Sequence, residues 1–316
     1  MRPIFIGGCG RSGTTLLGAM LGAHPDAVAT PESPFKTEVL AGLPAALGPA
    51  DIERAARRIG NHFRYRLWQA APEGTSMDAP SADAAPSAPY PALLLDLVRR
   101  YAAGRDKPAA RFWIDHTPDN TAHAATLLAL FPEARLIHLV RDGRAVAASV
   151  LPLDWGPNTI TQAGRWWGQK LAYGLGAESS PLAARVLRVR LEDVVREPAA
   201  ALERISAFAG LAVHPAMLAG GGFQVPEYSS AQHARVGQAP DPAVLTRWER
   251  TLSPRDIELF EWLTGDLLEC LGYVPRFGAR ARGPSRREHA ALLARETLRR
   301  VQNPYRQRRR RRDATP

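Results

Sequence analysis

A glycine-rich turn between a strand and a helix constrains this chain more than any other feature. An apolar run at residues 3–7 predicts a buried strand, and residues 13–23 predict the helix that follows. Glycines 8, 10 and 13 let the intervening backbone curl, so that successive N–H groups converge on one anion at the positive end of the helix. The sequence therefore predicts an α/β fold with an anion-binding turn.

The glycine spacing in this turn matches a Walker loop, G-x-x-x-x-G-[KT]-[ST], but Thr14 stands where the lysine of that motif belongs. The Walker lysine reaches the β- and γ-phosphates of a nucleoside triphosphate, so its absence counts against ATP or GTP hydrolysis. A glycine-rich turn without a ligand is the alternative interpretation. The residues predicted to hold a phosphate-type group are Gly10, Arg11, Ser12, Gly13, Thr14 and Thr15.

A second candidate anion site follows a later strand. The apolar run at residues 134–140 delivers Arg141 to its carboxyl end, where α/β sheets bind their ligands. Asp142 is placed to cap the next helix, Ser149 lies about two turns into that helix, and Arg144 is expected on its solvated face. Because a guanidinium suits a phosphate monoester, the two sites together predict a ligand with phosphates at both ends.

Short apolar runs alternate with helical patterns along the chain. This alternation predicts an α/β fold in three layers, P-loop-like, with a central parallel sheet flanked by helices. Thr117 is predicted to cap one helix with its hydroxyl group, and Ser253 another. The remaining predicted strands are 27–30, 111–114 and 185–190, and the remaining predicted helices are 118–131, 142–150, 159–177, 198–209 and 253–272.

The positive charge of the chain is confined to its end. The net charge is +10, yet residues 276–316 hold fourteen arginines and three acidic residues, so residues 1–275 carry about one negative charge. We therefore expect a globular domain at 1–275, with a mobile Pro/Ala-rich loop at 71–91, and a basic tail at 276–316. The tail is expected to be disordered or partly helical, with a short helix at 288–301. It is either a passive solvated arm or a contact for an anionic membrane surface, a nucleic acid or an acidic partner.

Cysteine content and hydropathy bear on the compartment. Cys9 and Cys270 form no CxxC pair, which favours a reducing environment, and no apolar run reaches the length of a signal peptide or a transmembrane helix. A cytoplasmic protein without a transmembrane segment is expected. The sequence contains no HExxH motif or Cys/His cluster, so no metal site is expected.

Together these motifs resemble the sulfotransferases that use 3′-phosphoadenosine 5′-phosphosulfate (PAPS), especially bacterial members and the tyrosylprotein-sulfotransferase-like branch. Residues 4–17 and 23–26 look like the family's 5′-phosphosulfate loop and its helix. Residues 140–149 look like its 3′-phosphate site, with Arg141 and Ser149 as phosphate ligands. Weaker matches follow at 189–193, 236–237 and 247–248. The resemblance implies transfer of the sulfuryl group from PAPS to an acceptor hydroxyl or amine, release of 3′,5′-ADP, and no metal.

The resemblance also implies roles for individual residues. Glu32, after the second predicted strand, matches the family's base, although a glutamate favoured by a helix dipole beyond an N-cap at Thr30 is the alternative. Arg11 would neutralise charge that accumulates on the departing 5′-phosphate. Arg247 matches a basic residue that reaches the nucleotide phosphates, or it is a surface arginine.

Two positions depart from the family pattern. His116 stands where many relatives carry a lysine that stabilises the transferring group. A histidine could replace that lysine only while it is protonated. Two alternatives are that His116 acts as a base or that it merely caps the end of a strand. Leu191 stands where relatives often carry a tyrosine that contacts the nucleotide.

Two other functions stay open from the sequence. One is a P-loop small-molecule kinase, and the other is a non-catalytic nucleotide-binding protein with a polyanion-binding tail. The acceptor class, whether sugar, peptide tyrosine, lipid or metabolite, is not specified by these motifs.

Overall fold

Five strands form one parallel sheet at the centre of the molecule. The computed structural model describes residues 1–69, 89–225, 237 and 241–313, with the side chains of the last helix described as far as residue 305. The sheet order is β2-β3-β1-β4-β5, and every pairing is parallel. The strands are β1 (Arg2–Gly8), β2 (Ala27–Thr30), β3 (Phe112–Asp115), β4 (Arg135–Val140) and β5 (Val186–Arg190).

The central position of β1 places the glycine-rich turn in the middle of one edge of the sheet. The chain runs to one side of β1 for β2 and β3, and to the other side for β4 and β5. The carboxyl ends of parallel strands lie at the same edge, and ligands bind where the strand order reverses. The turn after β1 therefore has the end of β3 on one side and the end of β4 on the other.

Helices cover both faces of this sheet. Ile4 and Ile6 of β1 pack against the first helix in one apolar cluster, while Phe5 points to the opposite cluster, as the two-residue period of a strand requires. The helices are α1 (Thr14–Gly22), α2 (Phe35–Glu38), α3 (Pro49–Asn61), α4 (Phe63–Gln69), α5 (Tyr90–Ala103), α6 (Ala124–Leu130), α7 (Gly143–Val150), α8 (Ile160–Glu178), α9 (Leu191–Arg196), α10 (Pro198–Ala209), α11 (Ala216–Ala219), α12 (Ala243–Thr246), α13 (Trp248–Thr251), α14 (Pro254–Cys270) and α15 (Arg286–Asp313). Short 3₁₀ turns occur at Pro118–Thr121, Ala183–Arg185 and Gly278–Arg280.

The α/β fold and its five strands are confirmed, each strand within one residue of its predicted bounds. The helix predicted over 118–131 is wrong in one respect, because it divides into a 3₁₀ turn and α6. Thr117 does not cap that turn with its hydroxyl group, since Thr117 Oγ1 instead accepts a hydrogen bond from Ser33 N at 2.8 Å. The predicted cap at Ser253 is confirmed.

The C-terminal helix is longer than the sequence pattern predicts. The predicted helix over 288–301 lies inside α15, whose Asn303 donates to Asn158 Oδ1 at 2.8 Å and whose Arg299 donates to Leu151 O at 3.1 Å. The domain boundary at residue 275 stays a prediction. Most of the loop predicted at 71–91 lies outside the described residues, and α5 begins at Tyr90. No helix in the described ranges is long and apolar enough to cross a membrane.

Candidate active site

The turn after β1 holds its backbone in conformations that few residues adopt. Gly13 precedes α1 with φ 93°, a left-handed conformation that suits glycine, and no side chain caps the helix. Arg11 has φ 71°, which is rare for a residue with a side chain. The first N–H groups of α1 therefore face the turn without a capping side chain from the described residues, and residues in strained conformations are typical of ligand-binding turns.

Three of the predicted phosphate ligands contact one another. Arg141 Nη1 donates to Arg11 O at 2.8 Å, and Arg11 Nε donates to Ser149 Oγ at 3.1 Å. Arg141 Nη2 also donates to Val244 O at 3.2 Å, which ties the segment of α12 to the same place. Direct hydrogen bonds thus join the two anion sites that the sequence predicts at separate strand ends into a single cluster.

Two buried donors of this cluster have no partner in the described part of the chain. Ser12 Oγ and Arg141 Nε are buried and have no hydrogen-bond partner among the described residues. Buried polar groups are normally paired, so such atoms at a helix N-terminus fit an anionic ligand. Burial lowers the pKa of Arg141; Glu192 opposes this shift and the Arg11 guanidinium adds to it. An anion between the two cations would relieve their repulsion.

The end of β4 is held by a buried carboxylate from α9, the helix that follows β5. Glu192 accepts hydrogen bonds from Asp142 N at 3.0 Å and from the Tyr273 hydroxyl group at 2.9 Å. Asp142 caps α7 as predicted, because its side chain accepts from Arg144 N. These contacts fix the backbone that directly follows Arg141.

The prediction that Arg144 is solvated is wrong. Its side chain is only 4% exposed and forms ion pairs with Asp142 and Glu261, at 2.8 and 2.6 Å. The guanidinium also lies over the ring of Trp248, 4.2 Å from its centroid. The helical pattern alone does not reveal this position, because both α14 and α13 pack over the face of α7 that carries Arg144.

Glu32 lies two residues beyond β2 and is half-buried, with 26% of its side chain exposed. Its Oε2 atom is 3.5 Å from Arg64 Nη2 on α4. Burial lowers the pKa of Arg11, and the charge of Glu32 opposes that shift. The carboxylate of Glu32 therefore shares an electrostatic environment with the anion cluster, and solvent reaches it.

A second carboxylate, Asp115, ends β3 beside Glu32 and is completely buried. Its Oδ2 atom accepts from the Ser33 hydroxyl group and lies 3.2 Å from Lys36 Nζ. Its Oδ1 atom accepts from Thr117 N at 2.9 Å and from Asn120 Nδ2 at 3.0 Å. Ser33 and Lys36 belong to the segment that follows Glu32, so Asp115 anchors the turn that carries Glu32.

Sequence reasoning missed this anchor. Asp115 and Lys36 are 79 positions apart in the sequence, and only the pairing of β2 with β3 brings them together. Burial alone would raise the pKa of Asp115, but Lys36 and the hydrogen bonds from Ser33, Asn120 and Thr117 lower it to about 2. The carboxylate therefore stays ionised at physiological pH and holds Lys36 in the interior.

His116 is buried between α1 and the segment after α11. A Cβ on Gly18 would lie 2.8 Å from His116 Cδ2, and the imidazole meets the Phe223 ring edge-on at 4.8 Å between centroids. Neither ring nitrogen has a hydrogen-bond partner within the described part of the chain. Burial lowers the pKa of His116 more than the nearby charges of Glu32 and Asp115 raise it, so the neutral imidazole is favoured.

The other predicted site residues occupy different environments. Thr14 and Thr15 are buried in the first turn of α1, and Gly10 lies against Trp166. Leu191 packs on the turn, since a Cβ on Gly13 would lie 2.6 Å from its Cδ1. Arg247 is exposed between α12 and α13, three residues after the carbonyl that binds Arg141.

Comparison with known proteins agrees with this geometry. A model of a family described as the sulfotransferase family matches residues 3–215. The chain belongs to the sulfotransferase family. It is an enzyme that transfers sulfuryl groups, and the resemblance of its first two motifs to that family is confirmed.

Its relatives include proteins that differ in length and organism. Protein-tyrosine sulfotransferase 2 of Gallus gallus is 24% identical over 89% of this sulfotransferase and 69% of the relative. Protein-tyrosine sulfotransferase A of Caenorhabditis elegans is 26% identical over 93% and 72%, respectively. Nodulation protein NoeE of Sinorhizobium fredii is 30% identical over 85% of this chain and 65% of its own.

Solved structures of sulfotransferase domains share the fold. The domain from the Synechococcus PCC 7002 olefin synthase superposes with a TM-score of 0.58 at 24% identity, covering 86% of this chain and 94% of that domain. The domain from the curacin biosynthetic pathway superposes with a TM-score of 0.53 at 19% identity, covering 87% and 99%. The P-loop-like three-layer α/β fold is therefore that of the sulfotransferases.

Proposed function

We propose that this sulfotransferase moves the sulfuryl group of PAPS to an acceptor hydroxyl group, with Glu32 as the base and 3′,5′-ADP as the released product. The observation that carries the proposal is the cluster of Arg11, Arg141 and Ser149 at the uncapped end of α1. The ribose of PAPS carries a phosphate at its 3′ position and a phosphosulfate at its 5′ position, and a joined pair of anion sites suits such a molecule. Ser12 Oγ, which is buried and has no partner among the described residues, adds a donor at the same place.

The anion cluster would stabilise the leaving group. Sulfuryl transfer resembles phosphoryl transfer, whose loose transition state needs positioning and charge stabilisation more than covalent chemistry. The bond from sulfur to the 5′-phosphate oxygen breaks as a bond from sulfur to the acceptor oxygen forms. Negative charge then grows on the 5′-phosphate, where Arg11 and the N–H groups of the turn are placed to meet it.

Glu32 would take the proton of the acceptor hydroxyl group. Its carboxylate is accessible and lies 3.5 Å from Arg64, whereas the turn beneath it is anchored through Ser33 and Lys36 to Asp115. General bases contribute about 10²–10⁴-fold to such reactions. A fixed turn with an accessible carboxylate suits this task, and the anchoring residues act as positioning residues.

His116 would act in its neutral form. The lowered pKa opposes a protonated imidazole at neutral pH, so His116 does not supply the charge of the lysine that many relatives carry. A neutral imidazole still has one N–H donor, and neither ring nitrogen is bonded to a described residue. We assign it a hydrogen bond toward the transferring group, and Arg247 a contact with the nucleotide phosphates.

The kinase alternative needs a cation in the place of the Walker lysine. Lys36 does not fill that place, because its ammonium group is buried and bound to Asp115 and Ser33. The tail-driven binding alternative does not require the ordered cluster at the strand ends. Both observations favour sulfuryl transfer.

The compartment is part of the same proposal. Cys9 is buried and Cys270 is exposed, and both are free thiols. Free, unpaired cysteines suit a reducing compartment, so we place the enzyme in the cytoplasm. Secretion from cells that express the full-length natural gene, shown by fractionation, would contradict this placement.

The donor is tested by calorimetry with 3′,5′-ADP and, separately, with Mg-ATP. We expect 3′,5′-ADP to bind and Mg-ATP to bind much more weakly. Transfer of label from ³⁵S-PAPS to a mixture of hydroxyl-bearing acceptors tests the reaction itself. Tight binding of Mg-ATP without binding of 3′,5′-ADP would replace this proposal with the kinase.

A further inference from the structure

A cavity of about 740 Å³ opens beside the anion cluster. Its walls come from three places: the segment that joins α7 to α8, the first half of α8, and the C-terminal helix α15. This size lies within the range of ligand-binding pockets. The function proposed above does not use it.

Two tryptophans connect this cavity to the anion-binding turn. Trp155 and Trp166 line the cavity, and a Cβ on Gly10 would lie 3.2 Å from Trp166 and 3.8 Å from Trp155. Gly10 belongs to the turn that we expect to hold the sulfated end of PAPS. A molecule in the cavity would therefore lie next to the group that is transferred.

The cavity wall contains buried polar atoms that lack partners. Asn158 donates to Glu296 Oε1 at 3.2 Å and accepts from Asn303 Nδ2 at 2.8 Å, which joins the three side chains across the junction with α15. Glu296 Oε2 and Asn303 Oδ1 are buried without a hydrogen-bond partner among the described residues, although both side chains line the cavity. Buried polar atoms of this kind call for a ligand or ordered water.

The charges of the described lining residues balance. Asp154 and Glu296 contribute two carboxylates, and Arg165 and Arg300 contribute two guanidinium groups. A strongly acidic acceptor would gain little from such a wall, because attraction to the cations is offset by repulsion from the carboxylates. An uncharged ligand that both donates and accepts hydrogen bonds suits it better.

We infer that this cavity binds the sugar part of a carbohydrate acceptor, an inference that rests on the proposed function. A neutral sugar has hydroxyl groups that can donate to the buried acceptor oxygens of Glu296 and Asn303, which have no partner among the described residues. Its C–H faces suit the rings of Trp155 and Trp166. The helix α15, which the sequence presents as a basic tail, thus supplies one wall of an acceptor site.

The test measures sugar binding directly, without turnover. Saturation-transfer NMR is recorded with neutral cello-, malto- and chito-oligosaccharides of two to four units, and with an acidic Glu/Tyr copolymer as the competing acceptor class. Asn303→Ala removes a buried amide of the wall, and Trp155→Ala removes a ring. Gln302→Ala is the matched control, because Gln302 is an exposed amide on the same helix.

We expect at least one neutral oligosaccharide to bind, with a Kd raised about tenfold or more by either cavity variant and unchanged by Gln302→Ala. Affinity for 3′,5′-ADP should stay within about twofold of wild type in Asn303→Ala. The inference is overturned if no oligosaccharide in the panel binds, if both cavity variants bind sugar like wild type, or if they abolish only binding of the acidic copolymer. Sugar binding that depends on Asn303, in a protein that fails to bind 3′,5′-ADP, would refute the proposed donor while leaving the sugar site intact.

Discussion

The two halves of the sheet's carboxyl edge are built in opposite ways. On the side of β1, β4 and β5, the arginine side chains are tied to backbone carbonyls and a hydroxyl group: Arg141 donates to Arg11 O and Val244 O, and Arg11 donates to Ser149. On the side of β2 and β3, two carboxylates lie near each other in different environments. Asp115 is fully buried with four bonded groups around it, whereas Glu32 is 26% exposed and has a 3.5 Å pair with Arg64.

This difference assigns nucleotide binding to the cationic half and proton transfer to the acidic half. The cationic half is assembled before a nucleotide arrives, so its affinity does not depend on ordering flexible side chains. The acidic half combines a fixed anchor, Asp115, with a carboxylate that is exposed enough to take a proton. Variants should therefore affect the two halves independently.

The largest effect is expected from Glu32→Gln. Losing the base should lower kcat about 10²–10⁴-fold at saturating substrates. Affinity for 3′,5′-ADP should change by less than about threefold, because the cationic half is intact. Rates with ³⁵S-PAPS and calorimetry measure the two quantities. Glu38→Gln, at an exposed glutamate of α2, is the matched control. Turnover within a few-fold of wild type would show that another group is the base.

The next effect concerns stability. Asp115→Asn leaves the buried Lys36 ammonium group without its counter-charge, so we expect a loss of about 3–5 kcal/mol in the free energy of unfolding. Adding Lys36→Met should restore part of that loss. Urea denaturation at pH 7 measures both variants. A loss below about 0.5 kcal/mol for the single variant would contradict the role of this pair.

Because of the same pair, the free energy of unfolding of the wild type should decrease at acidic pH. The pKa of Asp115 is lowered to about 2 in the folded protein, below its ordinary value. Its contribution to stability is therefore present above the unfolded pKa near 4, and is lost as the pH falls through about 2. Asp115→Asn should flatten this part of the pH profile.

A smaller effect, on the other half, is expected from Arg141→Ala. Losing hydrogen bonds from a charged donor should weaken 3′,5′-ADP binding about 10–100-fold. The rate with saturating acceptor and raised donor concentration should recover in part. Arg111→Ala, at an arginine that is 76% exposed, controls for the loss of positive charge. Equal calorimetric affinities of wild type and Arg141→Ala would remove Arg141 from the nucleotide site.

The smallest effect is expected from His116→Gln. Burial lowers the pKa of His116 in the folded protein. Below about pH 6.5 the imidazole is therefore protonated in the unfolded chain but stays neutral in the folded chain. Wild type should then lose stability as the pH falls from 7 to 5, by at most about 1.4 kcal/mol per pH unit from this residue. His116→Gln should lose less. Thermal denaturation across this range checks it, with the exposed His289→Gln as the control. Identical slopes for wild type and His116→Gln would contradict the lowered pKa.

The sequence was sufficient to predict the sheet, because buried strands and the helices between them leave local patterns. Strand β2 falls on the predicted residues, and the turn after β1 lies where the glycine spacing places it. Arg11 and Ser149 come from the two motifs that the sequence predicts as anion sites. Their hydrogen bond could not be derived from either motif alone. Local patterns therefore predicted the elements and the location of the cluster.

The contacts between distant segments could not be predicted. Arg144 is buried because α14 carries Glu261 to it, and the sequence pattern of α7 contains no sign of that partner. From its sequence neighbours, Lys36 looks like an ordinary helix residue. Its ion pair with Asp115 depends on the pairing of β2 with β3. The basic composition of the C-terminal segment likewise hides Asn303, whose partner Asn158 lies 145 positions earlier. Each of these residues depends on tertiary packing, which no single window of sequence contains.

A crystal structure of the protein with 3′,5′-ADP tests the central claim most directly. The account predicts one nucleotide whose 5′-phosphate lies at the N-terminus of α1 beside Arg11, and whose 3′-phosphate contacts Arg141 and Ser149. A nucleotide bound elsewhere, or one that touches only one of the two arginines while the other points away, would contradict it.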